Sequence, residues 1–182
     1  GVGHERSFMV HRIVSSSKRL TEVFMAVFRM RYTRWTGGVG GSTKRSYRKV
    51  IDAHSRGDAE RQAQVEWDSL CAELPKHRPP EFEELIQYIP WHPRVPSQGI
   101  SPAHMLIEGL PAEFRIRYTH SKSGPSGTTR GAYAKVFTAA TLADVLVLAQ
   151  AEWNKLCAAY PKDAQPDFEE LLQSIPWRPK GL

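Results

Sequence analysis

Length, composition and charge narrow the classes of protein to which this chain can belong. The chain has 182 residues, of which 41% are hydrophobic and 24% charged, values that are ordinary for a globular protein. No apolar run approaches the ~18 residues that a membrane span needs. The two cysteines are too few for a disulfide-framed secreted domain. The formal net charge is only +6, so its placement along the chain matters more than its size.

The N-terminal segment, residues 1–24, differs in composition from the rest of the chain. It is rich in serine and basic residues and has no long apolar stretch of the kind found in a secretory signal. We therefore expect a flexible basic extension or a tag that lies outside the fold. The low cysteine count favours an intracellular protein of the cytoplasm or nucleoid, and the Arg- and Ser-rich leader leaves an organelle-targeted form as the alternative.

The remainder of the chain is an internal repeat. FRMRYT, which begins at Phe28, recurs as FRIRYT at Phe114, and about half of the positions from 28 to 93 are identical to those 86 residues later. This predicts a first repeat over 25–93, a linker over 94–113 and a second repeat over 114–182. Two copies are too few for a solenoid and indicate a pseudo-dimer within one chain.

Each repeat begins with the pattern of a β-hairpin. FRMRYT alternates apolar and polar residues, which is typical of a half-buried strand. The Gly- and Ser-rich segments 37–43 and 123–129 predict flexible connections. SYRKVIDA and AYAKVFTA follow, rich in β-branched and aromatic residues, and predict the return strands.

Helices are predicted after each hairpin. Ser55 and Thr141 each precede an aspartate by three positions, as in a helix-capping motif. Apolar residues of the first copy then fall on one helix face: Ala63, Trp67, Leu70, Cys71 and Leu74. Pro80 and Pro166 are expected to open a short second helix that ends at Ile-Pro-Trp. The predicted unit is therefore ββαα.

The predicted fold class is α+β. We expect a tandem duplication of the ββαα unit to form a pseudo-dimer, in which an antiparallel sheet made from both hairpins is covered on one face by helices. The alternative is a pair of independent domains on a linker.

Charge is segregated between the predicted elements. Residues 28–49 hold seven basic side chains and no acid, and residues 114–135 hold five and no acid. Residues 50–93 hold nine acids against four bases, and residues 136–179 hold six against three. The strand arginines are therefore expected to form a basic sheet face opposite the acidic helices. The first copy is the more basic and should dominate any affinity for polyanions.

This polarity predicts a non-enzymatic protein that binds DNA or RNA mainly through phosphate contacts. Trp35, with Tyr47 and Tyr133, is expected to stack on unpaired bases. The other binding mode is a β-ribbon that enters the groove of a duplex. The alternative is an adaptor or inhibitor that binds an acidic protein surface through the same face. The candidate nucleic-acid-binding residues are Arg29, Arg31, Arg34, Trp35, Lys44, Arg45, Arg48, Lys49, Arg115, Arg117, Lys122, Arg130 and Lys135.

Other reactive groups predict no further site. None of the seven histidines recurs at its repeat-equivalent position, so no metal or catalytic centre is expected. Cys71 and Cys157 are interpreted as buried, inert thiols. The acidic pairs 83–84 and 169–170 are interpreted as first-turn residues that compensate a helix dipole. No cofactor, small-molecule substrate or membrane partner is predicted.

Overall fold

The computed structural model describes residues 10–16, 19–95 and 105–181, with side chains described from residue 25 onward. The protein is α+β, with two helices and antiparallel strands. The elements in chain order are β1 Val10–Ser16, β2 Arg19–Gly38, β3 Gly41–Ala53, α1 Arg56–Glu73, β4 Glu81–Ile89, β5 Ala112–Gly124, β6 Gly127–Ala139, α2 Leu142–Ala158 and β7 Asp167–Ile175.

The N-terminal residues set aside by the sequence analysis contribute strands. β1 pairs antiparallel with the start of β2, from Val10 opposite Met25 to Ser16 opposite Arg19. The other positions of 1–24 and most of the predicted linker, 96–104, lie outside the described residues. From residue 105 the linker packs: Met105 is buried in a core that includes Phe114 and Ile116.

The prediction of a short second helix is wrong, because β4 and β7 are strands. β4 pairs with β2 from Gln87 opposite Phe28 to Glu81 opposite Thr33, and β7 pairs with β5 in the equivalent register. In β4 the register shifts where β2 passes from Arg31 to Tyr32. Such an irregularity breaks the two-residue alternation that normally marks a strand. Each copy is therefore ββαβ.

The prediction of flexible hairpin connections is also wrong. The β2–β3 ladder continues to Gly38 opposite Gly41, so only Val39 and Gly40 form the turn. Gly40 and Gly41 have φ values of 109° and 128°, a region that glycine adopts at little cost. The β5–β6 ladder likewise runs to its two-residue turn.

The chain divides into two compact units, each with its own core. The C unit comprises Tyr88–Ser174, and the N unit comprises the described residues up to Gln87 together with those from Ile175 onward. In the N unit, α1 packs on one face of the β3–β2–β4 sheet, where the Trp67 and Phe82 ring centroids lie 6.0 Å apart. In the C unit, α2 packs Trp153 against Phe168 of the β6–β5–β7 sheet at 5.6 Å.

The helix starts and the apolar face are confirmed in part. Ser55 Oγ accepts a hydrogen bond from the Asp58 backbone N–H at 3.1 Å. Thr141 makes no such cap, and its hydroxyl donates to Asp144 Oδ2 at 2.7 Å instead. Ala63, Trp67 and Leu70 are buried as predicted.

The interpretation of both cysteines as buried thiols is wrong for Cys71. Cys71 is exposed, Cys157 is half-buried, and both are free thiols. Partial burial raises the pKa of each thiol, aided at Cys71 by Asp68 and opposed at Cys157 by Arg94. Both thiols therefore stay protonated at neutral pH, which keeps their reactivity low.

Candidate nucleic-acid interface

The outer end of the first hairpin is a two-stranded ribbon. β4 supports β2 only as far as Thr33, whereas the β2–β3 ladder continues five residues further, to Gly38. Arg34–Gly38 therefore pairs with Gly41–Arg45, and among the described residues no third strand pairs with this part. Five residues of antiparallel strand extend roughly 17 Å. We call this part, together with the adjoining Arg48, the basic ribbon.

Pairing in the ladder assigns side chains to the two faces of the hairpin. Met30, Tyr32 and Arg34 share the face that α1 covers, opposite Lys49, Tyr47 and Arg45 respectively. Arg29, Arg31 and Thr33 point to the other face, as predicted for the strand arginines. The ladder places Arg31 directly opposite Arg48, and Arg34 directly opposite Arg45.

The strand arginines do not form the open basic row that the alternation predicted. Arg29 is only 3% exposed and Arg115 is half-buried. Arg31 Nε lies 2.6 Å from Glu83 Oε2, and its Nη2 lies 3.4 Å from Glu84. Arg117 Nη1 lies 2.7 Å from Glu170 Oε1. These carboxylates neutralise Arg31 and Arg117, which corrects the expectation of arginines exposed for phosphate.

The acidic pairs in β4 and β7 were also misassigned. Glu83 and Glu84, and Glu169 and Glu170, stand on strands and contact the arginine of the neighbouring strand rather than a helix N-terminus. An ion pair directly across two strands stabilises their register. Their function is therefore to hold β4 and β7 in place.

Four further candidate cations are also ion-paired within the chain. Lys44 contacts Glu81, and Lys49 Nζ lies 3.7 Å from Glu66 Oε2. In the second copy, Arg130 Nη2 lies 2.9 Å from Asp167 Oδ2, and Lys135 Nζ lies 3.8 Å from Glu152 Oε2. Exposed pairs of this kind contribute about 0–1 kcal/mol. They also lower the net positive potential of both hairpins.

Three arginines of the basic ribbon have no carboxylate within ion-pair distance among the described residues: Arg34, Arg45 and Arg48. Arg45 and Arg48 are exposed, and the Arg34 guanidinium carbon lies 5.3 Å from the Tyr47 ring centroid. Arg34 and Arg45 are directly opposite each other, an arrangement that destabilises a strand pair. Arg48 is opposite the ion-paired Arg31 and lies on the other face of the hairpin. A guanidinium group without an internal carboxylate partner keeps its hydrogen-bond donors available for an external anion.

A small cavity lies on the α1 side of the ribbon. Its volume is about 230 Å³, and its lining includes Arg34 and Lys49 together with Glu66 and Glu73. Because both signs of charge line it, the cavity itself does not select for anions.

Two of the three aromatic residues proposed to stack on bases are exposed, because Tyr133 is 37% exposed and only Tyr47 is half-buried. Tyr47 stacks on Tyr32 with ring centroids 5.8 Å apart, and Tyr133 stacks on Tyr118 at 5.6 Å. Trp35 is 42% exposed. The guanidinium of Arg78, a residue that the sequence analysis did not select, lies 6.0 Å from the Trp35 ring centroid.

Arg78 belongs to the loop before β4, and its Nη1 donates to Ser42 Oγ at 2.6 Å. It therefore adds a cation to the ribbon from outside the hairpin. No sequence signal could have placed it there, because the contact joins residues 36 positions apart.

The second hairpin lacks equivalents of the three unpaired arginines. His120, Gly131 and Ala134 occupy the positions 86 residues after Arg34, Arg45 and Arg48. Of these three residues, His120 is buried and packed. Its ring centroid lies 4.1 Å from that of Tyr160, and its Nε2 lies 3.2 Å from the Ala164 carbonyl oxygen. Lys122 is exposed, with Nζ 5.9 Å from the Tyr133 ring centroid.

Searches of known proteins and of the described residues add no competing site. No protein-family model, curated protein or solved structure matches the chain. Within the part of the chain that the structure describes, no group of three or more His, Cys, Asp or Glu residues is arranged to hold a metal ion. Neither helix in that part is long and apolar enough to cross a membrane.

Proposed function

We propose that the protein is a non-enzymatic nucleic-acid-binding protein whose contact surface is the basic ribbon of the N unit. Arg34, Arg45 and Arg48 contact phosphates, and Trp35 packs against sugar or base. The observation that carries the proposal is the set of three guanidinium groups that lack a carboxylate partner among the described residues.

Phosphate groups supply the negative charge that Arg34, Arg45 and Arg48 do not receive from carboxylates among the described residues. A guanidinium forms paired hydrogen bonds with phosphate oxygens, and each neutralised phosphate releases condensed counterions. Binding of an anion also relieves the repulsion between Arg34 and Arg45, which face each other across the ladder. The ion-paired candidates Lys44, Lys49 and Arg130 contribute less, because they must first leave a carboxylate.

Duplex nucleic acid fits this surface better than a single strand does. A two-stranded ribbon enters the major groove of B-DNA, which is about 12 Å wide. Sheet-based binders of single strands instead use several open aromatic faces. Here Tyr47 is half-buried, and Tyr47 and Tyr133 each already stack on a tyrosine neighbour, which leaves Trp35 as the exposed ring without such a stack. We therefore propose duplex DNA as the preferred ligand.

We also propose that the protein arose by tandem duplication and that it is intracellular. The recurrence of ββαβ with an 86-residue offset supports a tandem duplication that produced a pseudo-dimer, of which the N unit kept or gained the arginines. Two free thiols support an intracellular location.

The test compares two charge-matched triple variants by fluorescence anisotropy with duplex DNA, single-stranded DNA and RNA. The ribbon variant is Arg34→Gln, Arg45→Gln, Arg48→Gln. The control removes three cations elsewhere: Arg56→Gln, Arg61→Gln, Lys155→Gln. We expect the ribbon variant to lose on the order of 100-fold in duplex affinity at low salt, and its log–log salt slope to fall by about 2.7.

The control variant is expected to lose less than about fivefold, since net charge alone acts over a screened distance. Equal losses in the two variants would show that the ribbon has no special role. Absence of binding by the unaltered protein would favour an adaptor that binds an acidic protein surface.

A further inference from the structure

Each unit contains the Ile-Pro-Trp segment of the other repeat. The N unit contains the segment that begins at Ile175, at the end of β7, and the C unit contains the one that begins at Ile89, at the end of β4. In the N unit, Trp177 lies against Phe82 with ring centroids 5.5 Å apart and planes at 83°. In the C unit, Trp91 lies against Phe168 at 5.5 Å and 88°. Trp177 is the repeat equivalent of Trp91, and Phe168 is the equivalent of Phe82. Each tryptophan therefore packs on the phenylalanine of the repeat to which it does not belong.

The N unit receives its segment in a defined aromatic site, which we call the aromatic slot. Phe82 sits edge-to-face between Trp67 on one side and Trp177 on the other. T-shaped contacts of this kind stabilise an aromatic pair beyond the burial of apolar area. The C unit repeats the arrangement with Trp153, Phe168 and Trp91.

The slot also recognises the backbone of the segment. The Lys180 backbone N–H donates to Gln64 Oε1 at 2.8 Å, and Gln64 Nε2 donates to the Lys180 carbonyl at 3.2 Å. This pair of bonds fixes both the position and the direction of residues 175–181, which we call the docking segment. Pro179, between the tryptophan and this bond pair, is buried.

The docking segment is preorganised for binding. The Trp177 N–H donates to the Ile175 carbonyl at 2.8 Å, and Trp91 makes the same bond to Ile89. Proline between the two residues holds φ near −65° and reduces the conformational entropy that binding must remove.

We propose that the aromatic slot of the N unit is a peptide-docking site for the Ile-Pro-Trp-Arg-Pro-Lys segment, and that it accepts this segment from a second copy of the chain as well as from its own. The segment is held by the contact of Trp177 with Phe82 and by the two bonds between Lys180 and Gln64, all formed by segment residues that follow the end of β7. A second copy carries the same segment, and exchange conserves every contact. This inference does not depend on nucleic-acid binding.

In the unaltered chain the slot is filled by its own segment. Covalent linkage gives such a segment an effective concentration of about 1 mM or more. A peptide added at micromolar concentration therefore competes poorly. Weakening the resident segment by Trp177→Ala should open the slot, because it removes the ring that contacts Phe82 and leaves Phe82 in place.

The first arm of the test measures binding of a labelled peptide with the sequence SIPWRPKG to full-length chains. We expect the Trp177→Ala chain to bind it at least 10-fold more tightly than the unaltered chain. Adding Phe82→Ala to Trp177→Ala should abolish binding. A peptide with alanine in place of its tryptophan is the matched control and should bind neither chain.

The second arm mixes two full-length variants with complementary defects. Trp177→Ala has an intact slot and a defective segment, and Phe82→Ala has an intact segment and a defective slot. Size-exclusion chromatography should show a heterodimer in the mixture and less dimer in either variant alone. If Trp177→Ala proves poorly folded, the peptide should raise its melting temperature, since a ligand that binds only the folded state stabilises it.

The proposal is overturned if the peptide binds the unaltered and Trp177→Ala chains equally. It is also overturned if the peptide neither binds nor stabilises the Trp177→Ala chain. Peptide binding without heterodimer formation would refute exchange between copies. Loss of DNA binding in these variants has no bearing on any of these outcomes.

Discussion

The two hairpins share a backbone and differ in which of their cations are neutralised. Every ion pair found on the first hairpin has a counterpart on the second. Arg31 with Glu84, Lys44 with Glu81 and Lys49 with Glu66 correspond to Arg117 with Glu170, Arg130 with Asp167 and Lys135 with Glu152. The cations without such a partner, at positions 34, 45 and 48, have no basic counterpart.

This difference reverses the usual inference from an internal repeat. The cations that recur in both copies are paired with carboxylates of the neighbouring strand or of the covering helix, so a structural role accounts for them. Residues present in only one copy are under no such shared requirement. The unrepeated arginines are therefore the stronger functional candidates, although the recurring Arg-x-Arg is more conspicuous in the sequence.

The largest expected difference is between the substitution of an arginine that recurs in both copies and that of an arginine present in only one copy. Arg117→Ala removes the ion pair with the half-buried carboxylate of Glu170 and should lower the free energy of unfolding by about 1–2 kcal/mol. Its effect on DNA affinity should be less than twofold. Arg48→Ala should weaken DNA binding about fivefold and leave stability within about 0.5 kcal/mol of the unaltered protein.

Urea denaturation and anisotropy titrations measure the two quantities on the same samples. A loss of affinity in Arg117→Ala as large as that in Arg48→Ala would contradict the distinction between structural and functional arginines.

A smaller effect is expected from transferring an arginine to the second hairpin. Ala134 is exposed and occupies the position equivalent to Arg48, so Ala134→Arg should raise DNA affinity about threefold. Ala134→Gln is the control for side-chain size.

Gly131→Arg, at the position equivalent to Arg45, should give no gain. A Cβ atom there would lie 2.8 Å from the Tyr133 hydroxyl, so the Tyr133 ring, which stacks on Tyr118, would have to shift. An equal gain from both substitutions would show that charge count, and not the built ribbon, determines affinity.

The smallest effect on stability at neutral pH is expected from the substitution Tyr118→Phe. Burial, followed by a hydrogen bond with Tyr160, raises the pKa of Tyr118 from 10.0 to about 12. Because the folded-state pKa is the higher one, this contribution to stability is complete below pH 10 and is lost as the pH rises towards 12. Tyr118→Phe should abolish that part of the alkaline pH dependence.

Ultraviolet titration of tyrosinate provides the measurement. The unaltered protein should show a late-titrating phase near pH 12 that Tyr118→Phe removes. Burial also raises the pKa of Tyr32, the equivalent residue of the first copy, so Tyr32→Phe is the matched comparison. Persistence of the late phase in Tyr118→Phe would show that another tyrosine is responsible.

Much of each repeat could be predicted from local sequence signals. The alternation in FRMRYT and FRIRYT gave the first strands, and the Ser55 cap and the apolar spacing of Trp67 and Leu70 gave the first helix. These signals succeed because they depend on contacts between residues close in sequence or on the burial of a single face.

The last element of each repeat was mispredicted for a physical reason. Phe82, Leu85, Ile86 and Ile89 are spaced as on one face of a helix, yet they belong to a strand whose register shifts by one residue near Glu83. The irregularity arises only when β4 pairs with β2. The sequence analysis also failed to predict the carboxylate partners of Arg31, because it placed Glu83 and Glu84 on a helix.

By itself, the sequence determined that the chain is a repeat, that each copy begins with a hairpin and a helix, and that positive charge is concentrated in the hairpins. Those properties are local or additive, so they can be counted along the chain. Only the tertiary structure decided which cations are neutralised and where the Ile-Pro-Trp segments pack. Both depend on side chains that are far apart in sequence and meet only after the strands have paired.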